Sequence, residues 1–126
     1  MHKKIVATSS APAPIGPYSQ GVIAGGFLFV SGQIPIDPAT GELVGGEIEA
    51  QAEQVLKNLT AILREAKLGA EHVVKTTIFL ADMADFPRVN KVYERYFAKE
   101  PPARSTVQAA GLPKQVGVEI DLIAAF

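Results

Sequence analysis

Apolar and polar residues repeat along this chain with two different periods, and the switches between them divide it into elements. From Ile48 the apolar positions Ala52, Val55, Leu56, Leu59, Ile62, Leu63 and Ala66 follow at three- and four-residue steps. That is one stripe down about five turns of helix. Glu53, Lys57, Arg64 and Lys67 fall on the other side. Glu47 and Glu49 suit the positive N-terminal end and Gly69 suits the exit. The spacing predicts a helix that packs on one side and meets water on the other. A second, shorter helix is predicted from about Asp85 to Ala98, with Phe86, Val89, Val92, Tyr93, Tyr96 and Phe97 as its buried stripe. Asp85 is the expected N-cap, Pro87 is tolerated in the first turn, and Pro101-Pro102 stops the helix.

The remaining apolar runs have the short period of strands. Tyr18 to Ala24 and Phe27 to Ser31 flank Gly25-Gly26, where a tight hairpin needs positive φ. Val73 to Leu80 is apolar at nearly every position and reads as a strand covered on both faces. Ala103 to Ala110 and Val116 to Ala124 are two more strands, with a turn through Gly111-Leu112-Pro113-Lys114 between them. Asp37 to Gly41 is a turn, Gly45-Gly46 a breaker, and the three prolines of Ala11 to Pro17 impose an extended loop. The order is strands, helix, strand, helix, strands. It predicts an α+β fold: one domain over 1–126, a mixed β-sheet, and two helices packed on one face. The other face must then be polar or buried against another subunit.

Composition narrows the chemistry. Hydrophobic residues are 48% and charged residues 20%, the balance of a globular protein with a core. Lys+Arg number 12 against 13 Asp+Glu, so the net charge of -1 gives no basic excess to capture nucleic acid or an anionic membrane. The absence of Cys excludes disulfides, thiolate metal sites and a thiol nucleophile. His2 and His72 are too few for a histidine metal cluster, so no metal is expected. No apolar run approaches the roughly 18 residues of a membrane span. The apolar start ends at Thr8-Ser9-Ser10, too soon for a signal peptide, so the expected location is cytoplasmic. Neither a P-loop nor a G-x-G-x-x-G motif is present.

The last two strands carry the most chemistry. Alternation puts Val118, Ile120 and Leu122 on one face and Glu119 and Asp121 on the other. Paired as a hairpin about Leu112–Pro113, the strands are expected to bring Arg104 and Glu119 together, away from the apolar side chains. Two readings are open: a cross-strand ion pair on a wet face, or a guanidinium clamp for a small carboxylate beside a carboxylate that orients water. Pro101-Pro102 fixes the chain just before Arg104. Gly32, after Ser31, is either a bulge or a point of close ligand approach. Ser31 lacks a nucleophile-elbow setting. Tyr18 reads as a pocket hydroxyl or a half-buried strand residue, and Asn90 lies on the polar side of the second helix. Asn58-Leu59-Thr60 matches a glycosylation sequon but falls inside a helix, and is set aside.

Taken in order, several segments resemble one family. They are Ala13 to Gln20, Val30 to Pro35, Gln51 to Asn58, Val74 to Leu80, Asp85-Phe86, Asn90, Tyr93 to Phe97, Pro102 to Ser105, Leu112 to Lys114 and Val118 to Ile120. Together they resemble the RidA (YjgF) family of reactive-intermediate imine deaminases, nearly end to end. The resemblance implies a chorismate-mutase-like fold and a homotrimer whose sheets form a central barrel, with ligand sites between subunits. It implies hydrolysis of 2-enamine and 2-imine acids such as 2-aminoacrylate and 2-aminocrotonate to 2-keto acids and ammonia, without a cofactor. Arg104 would hold the substrate carboxylate and Glu119 would orient water. Tyr18, Ser31, Gly32, Phe86, Asn90 and Thr106 would line the cleft. Many members have Cys where this chain has Thr106, so no thiol-dependent regulation is expected. The alternatives are a non-catalytic 2-keto acid-binding trimer and, with little support from the charge, a ribonuclease or translation inhibitor.

Overall fold

A computed structural model describes residues 2–126. Its strands are β1 (Lys4–Val6), β2 (Gly21–Ala24), β3 (Phe27–Gln33), β4 (Ile36–Asp37), β5 (Glu42–Leu43), β6 (Val73–Leu80), β7 (Ala103–Gln108) and β8 (Val118–Ala125). The helices are α1 (Ile48–Glu65) and α2 (Phe86–Tyr96). Six strands form one sheet in the order β1-β2-β3-β8-β6-β7, and β4 and β5 pair apart from it. Every neighbour in the large sheet is antiparallel except β6 and β7, which run parallel. The fold is the mixed-sheet α+β arrangement that the hydrophobic pattern predicts.

Local chemistry explains the elements. Gly25 and Gly26 take φ of 60° and 83°, and this double left-handed turn closes the β2–β3 hairpin. Tyr18 lies before β2 in the loop, not in the strand as the apolar run suggests. The N-cap expected of Asp85 moves upstream: Asp82 accepts a hydrogen bond from the Ala84 amide at 2.9 Å, capping a short 3₁₀ turn that leads into α2. The α1 stripe is buried along its length, from Ile48 through Leu63, against Leu28, Val30, Ile78, Val118, Ile120 and Leu122. Each fully buried Leu or Ile contributes roughly 1.5–3 kcal/mol. One polar residue, Asn58, is buried within that stripe.

The two helices are also joined by charge. Arg88 of α2 pairs with Glu47 and Glu49 at the start of α1, and Arg95 pairs with Glu53, which also accepts from the Tyr96 hydroxyl. The Arg88 hydrogen bonds hold the Glu49 carboxyl below its ordinary range, and the Tyr96 hydroxyl does the same for Glu53. Pairs as exposed as these are screened by solvent and orient the helices more than they stabilise them.

One expectation fails. β7 and β8 are not a hairpin, because β6 lies between them. The chain leaves β6, crosses through α2, and returns as β7 parallel to β6 on its outer edge. Its inner edge is taken by β8, which pairs with β3 on its other side. The connection from β7 to β8 is therefore a crossover past β6. It includes Pro113–Gln115, where Lys114 and Gln115 adopt φ of 54° and 58°.

The face away from the helices is neither wholly polar nor covered within the chain. Ile5, Phe27, Phe29 and Val107 are 41–51% exposed there. Strand register places them on the same face as Lys75, Thr77, Glu119 and Asp121.

Candidate functional site

Glu119 stands on the open face, as its alternation with Val118 and Ile120 predicts. On one side it is opposite Phe79 of β6. On the other, the β3–β8 register jumps from Val30↔Leu122 to Gln33↔Ile120, so Ser31 and Gly32 form a bulge. The bulge brings the backbone against the carboxylate: a Cβ at Gly32 would lie 2.0 Å from Glu119 Oε2. Gly32 therefore makes room for Glu119, a close approach of protein to protein. Burial, and then the charge of Asp121, push the Glu119 carboxyl above its ordinary range.

The loop before β2 completes this region. The Ser31 hydroxyl donates to the Ser19 carbonyl at 2.5 Å, and the Ser31 amide donates to the Gln20 carbonyl at 2.9 Å. The buried Gln20 amide donates to the carbonyls of Thr8, Ala11 and Pro12 and accepts from the Thr8 amide, which ties the proline-rich segment to the sheet. Tyr18, Ser31, Gly32, Ile34, Pro113 and Glu119 line a cavity of about 350 Å³.

Arg104 lies elsewhere. Its parallel partner is Thr76, a core residue, so Arg104 is on the helix side of the sheet. Its guanidinium carbon sits 5.3 Å from the Phe86 ring centre and 4.9 Å from that of Tyr93. Nη1 donates to Asn90 Oδ1 at 2.7 Å. Stacking and one hydrogen bond fix the planar group while most of its five donors stay outside that bond. Tyr93 is itself fixed, its hydroxyl 2.7 Å from Thr76 Oγ1, and burial pushes that phenol above its ordinary range. Asn90, Tyr93, Glu94, Phe97, Pro102 and Arg104 border a cavity of about 610 Å³. Thr106 shares this face, opposite Ile78, and its Oγ1 is buried without a hydrogen-bond partner among the described residues.

The structure thus brings Tyr18, Ser31 and Gly32 to Glu119, and Phe86 and Asn90 to Arg104. It does not bring the two groups together within one chain. They stand on opposite faces of the sheet, two strands apart, so the expected meeting across a hairpin is corrected, and the cross-strand ion pair with it. The placement of Arg104 away from the apolar side chains is corrected too. β7 is an edge strand without an apolar side, and its phase is set by β6. Sequence reasoning assigned Tyr93 to the core alone and passed over Ile34 and Pro113 as cavity walls. An aromatic stripe followed by a doubled proline before an Arg was the available signal for Tyr93. Among the described residues no three His, Cys, Asp or Glu are grouped to hold a metal ion. No helix among them is long and apolar enough to cross a membrane.

A mixed sheet with two helices packed on one side is the arrangement of solved Rid family structures. Residues 8–126 match the family described as Endoribonuclease L-PSP. A RutC family protein of Synechocystis is 56% identical over 126 residues, covering 98% of this chain and 97% of that protein. The mouse 2-iminobutanoate/2-iminopropanoate deaminase is 48% identical over 122 residues, covering 97% of this chain and 90% of the mouse protein. The crystal structure of E. coli TdcF with bound serine superposes with a TM-score of 0.92 at 44% identity, covering 98% of each chain. The chain belongs to the RidA (YjgF) family.

Proposed function

We propose that this protein hydrolyses 2-imino acids, formed from enamines such as 2-aminoacrylate and 2-aminocrotonate, to 2-keto acids and ammonia. The active unit is a homotrimer in which Arg104 of one copy faces Glu119 of the next. The observation that carries this reading is the division of the two groups. Each is held in a preorganised pocket, yet one chain keeps them apart, and the face bearing Glu119 exposes Phe27, Phe29 and Val107. Covering that face with a second copy buries the apolar side chains and can set the two half-sites opposite each other. The serine bound to TdcF is a small molecule with a carboxylate of the kind a fixed guanidinium takes.

The chemistry is an addition and an elimination. Protonation of the enamine at C3, with loss of an N–H proton, gives the imine. Arg104 holds the carboxylate. Glu119 orients a water molecule and accepts its proton as the oxygen bonds to the imine carbon. That proton passes to nitrogen to give a carbinolamine; the carbinolamine hydroxyl proton then moves to nitrogen through Glu119 as the C–N bond breaks, and ammonia leaves with the 2-keto acid. A carboxyl raised by burial suits a group that must both take and return a proton.

The test couples the protein to a serine dehydratase and follows ammonia release. A binding module leaves release at the uncatalysed rate. A second measurement mixes two severely impaired variants, Arg104→Ala and Glu119→Ala, under conditions that exchange subunits. Sites shared between copies regain activity at about one site in four. Recovery of nothing places both groups in one copy's site and refutes the shared arrangement.

A further inference from the structure

We infer that Asn58 is a positioning residue for this site, acting through the backbone that forms the wall beside Glu119. Asn58 lies on α1 in the middle of its apolar stripe and is 1% exposed. A buried amide in such a stripe is unfavourable unless its hydrogen bonds are made. They are made to two carbonyls on either side of Pro35, where the chain leaves β3 and enters β4. Asn58 Nδ2 donates to the Ile34 carbonyl at 3.3 Å and to the Ile36 carbonyl at 3.0 Å. Its Oδ1 accepts from Gln54 Nε2 at 2.9 Å, which sets which way the amide points.

The segment so held is the direct continuation of the Ser31–Gly32 bulge, and Ile34 lines the Glu119 cavity. Between the two carbonyls stands Pro35, which has no amide proton to bond on its own account. The same helix secures the other approach to Glu119. Gln51 Oε1 accepts from the Gly117 amide at 2.9 Å, two residues before Glu119. A Cβ at Gly117 would lie 2.6 Å from Ile48 Cδ1, so α1 is seated directly on that backbone. One row of polar residues on α1 therefore registers both backbone segments that set Glu119 against Gly32. Asn58 touches neither Glu119 nor Arg104 in this arrangement. Its predicted effect is on the geometry of water delivery, not on capture of the carboxylate.

The experiment compares the full-length protein with Asn58→Leu, and with the milder Gln54→Met, which only frees the amide to turn. Two readouts are taken: amide hydrogen exchange across residues 31–36, and kcat and KM for imine hydrolysis. The kinetic readout rests on the deaminase reading, and the exchange readout stands without it. In Asn58→Leu, exchange in that segment is expected to rise about ten-fold or more while α1 amides stay protected. kcat is expected to fall about ten-fold with KM nearly unchanged, and Gln54→Met is expected to move both in the same sense by less. A merely structural Asn58 lowers thermal stability and leaves kcat per folded molecule alone, and that result overturns the inference. Should Asn58→Leu not fold, unchanged exchange and kcat in Gln54→Met overturn it equally. A wild-type protein without turnover sinks the deaminase reading. Unchanged exchange in both variants sinks the positioning role.

Discussion

Gly32→Ala isolates the proposed role of Glu119 with one methyl group. The added Cβ would lie 2.0 Å from Oε2, 2.9 Å from Cδ and 3.2 Å from Cγ of Glu119. Ordinary contact begins near 3.4 Å, so the carboxylate oxygen must retreat by more than an ångström. The backbone need not move, because Gly32 is not at positive φ. Turning the Glu119 side chain aside costs roughly 0.5–1.5 kcal/mol. The stiffer unfolded chain returns about 0.4–1 kcal/mol where Ala fits the backbone, so stability should change by about 1 kcal/mol or less. Activity responds on another scale. Misplacing a catalytic group by about 1 Å costs on the order of 10²-fold, and kcat should fall by that factor with KM much less affected. Gly45→Ala is the control: nothing lies within 4 Å of its added Cβ and its φ is not positive. The assay is ammonia release from the dehydratase-coupled reaction, with thermal melts of each variant. In a Glu119→Ala background the Gly32→Ala change should cost nothing further, since the group it displaces is gone. A Gly32→Ala protein with wild-type kcat would falsify the assignment of Glu119.

Other consequences follow from the same geometry. Arg104→Lys should raise KM by about 10²-fold or more, because an ammonium neither forks onto a carboxylate nor stacks between Phe86 and Tyr93. Unaltered KM in steady-state kinetics refutes the clamp. Thr106→Val removes a buried hydroxyl that has no partner among the described residues, and should leave the melting temperature unchanged or raise it. A loss of more than about 1 kcal/mol in denaturant titration contradicts that reading. For Glu119 the sign follows from a folded-state carboxyl raised above 4.5. Protonation favours the folded form, so this stabilising contribution is complete below the ordinary value and is lost as pH rises through the raised one. Glu119→Gln should therefore be more stable than wild type at neutral pH and equal to it in acid. Its kcat/KM profile should lose an acid limb that in wild type lies above the ordinary glutamate range.

The longer elements were legible where they hide apolar atoms with a distinct period, whereas β1, β4 and β5, two or three residues each, are too short to show one. The α1 stripe from Ile48 to Leu63 and the bounds of β6 follow from that alone. Which strands would pair did not. Ala103–Gln108 carries Arg104, Thr106 and Gln108 on one side and Ser105 and Val107 on the other. Neither side is apolar enough to fix which one faces the core, and an edge strand takes its phase from its neighbour. The short turn-rich link to β8 looks like a hairpin because nothing local reveals that β6 will come between. Asn58 was hidden differently: one polar residue in a helical stripe reads as an exposed edge, and its carbonyl partners lie over twenty residues away.

The position of β8 has a consequence for how the molecule forms. The eighth strand in sequence is an inner strand of the sheet, bonded to β3 on one side and β6 on the other. Until it arrives, the β2–β3 hairpin and the β6–α2–β7 unit share no strand pairing, and Val30 and Ile78 lack the Leu122 and Ile120 backbones they will pair with. Closure spans nearly the whole chain, from Phe27 to Ala125. Such distant pairing makes folding slow and leaves two unpaired apolar strand edges waiting in the interval. A nascent chain stalled short of Val118 would therefore be prone to clumping, and its rescue would depend on supplying the missing strand, in cis or as a separate peptide.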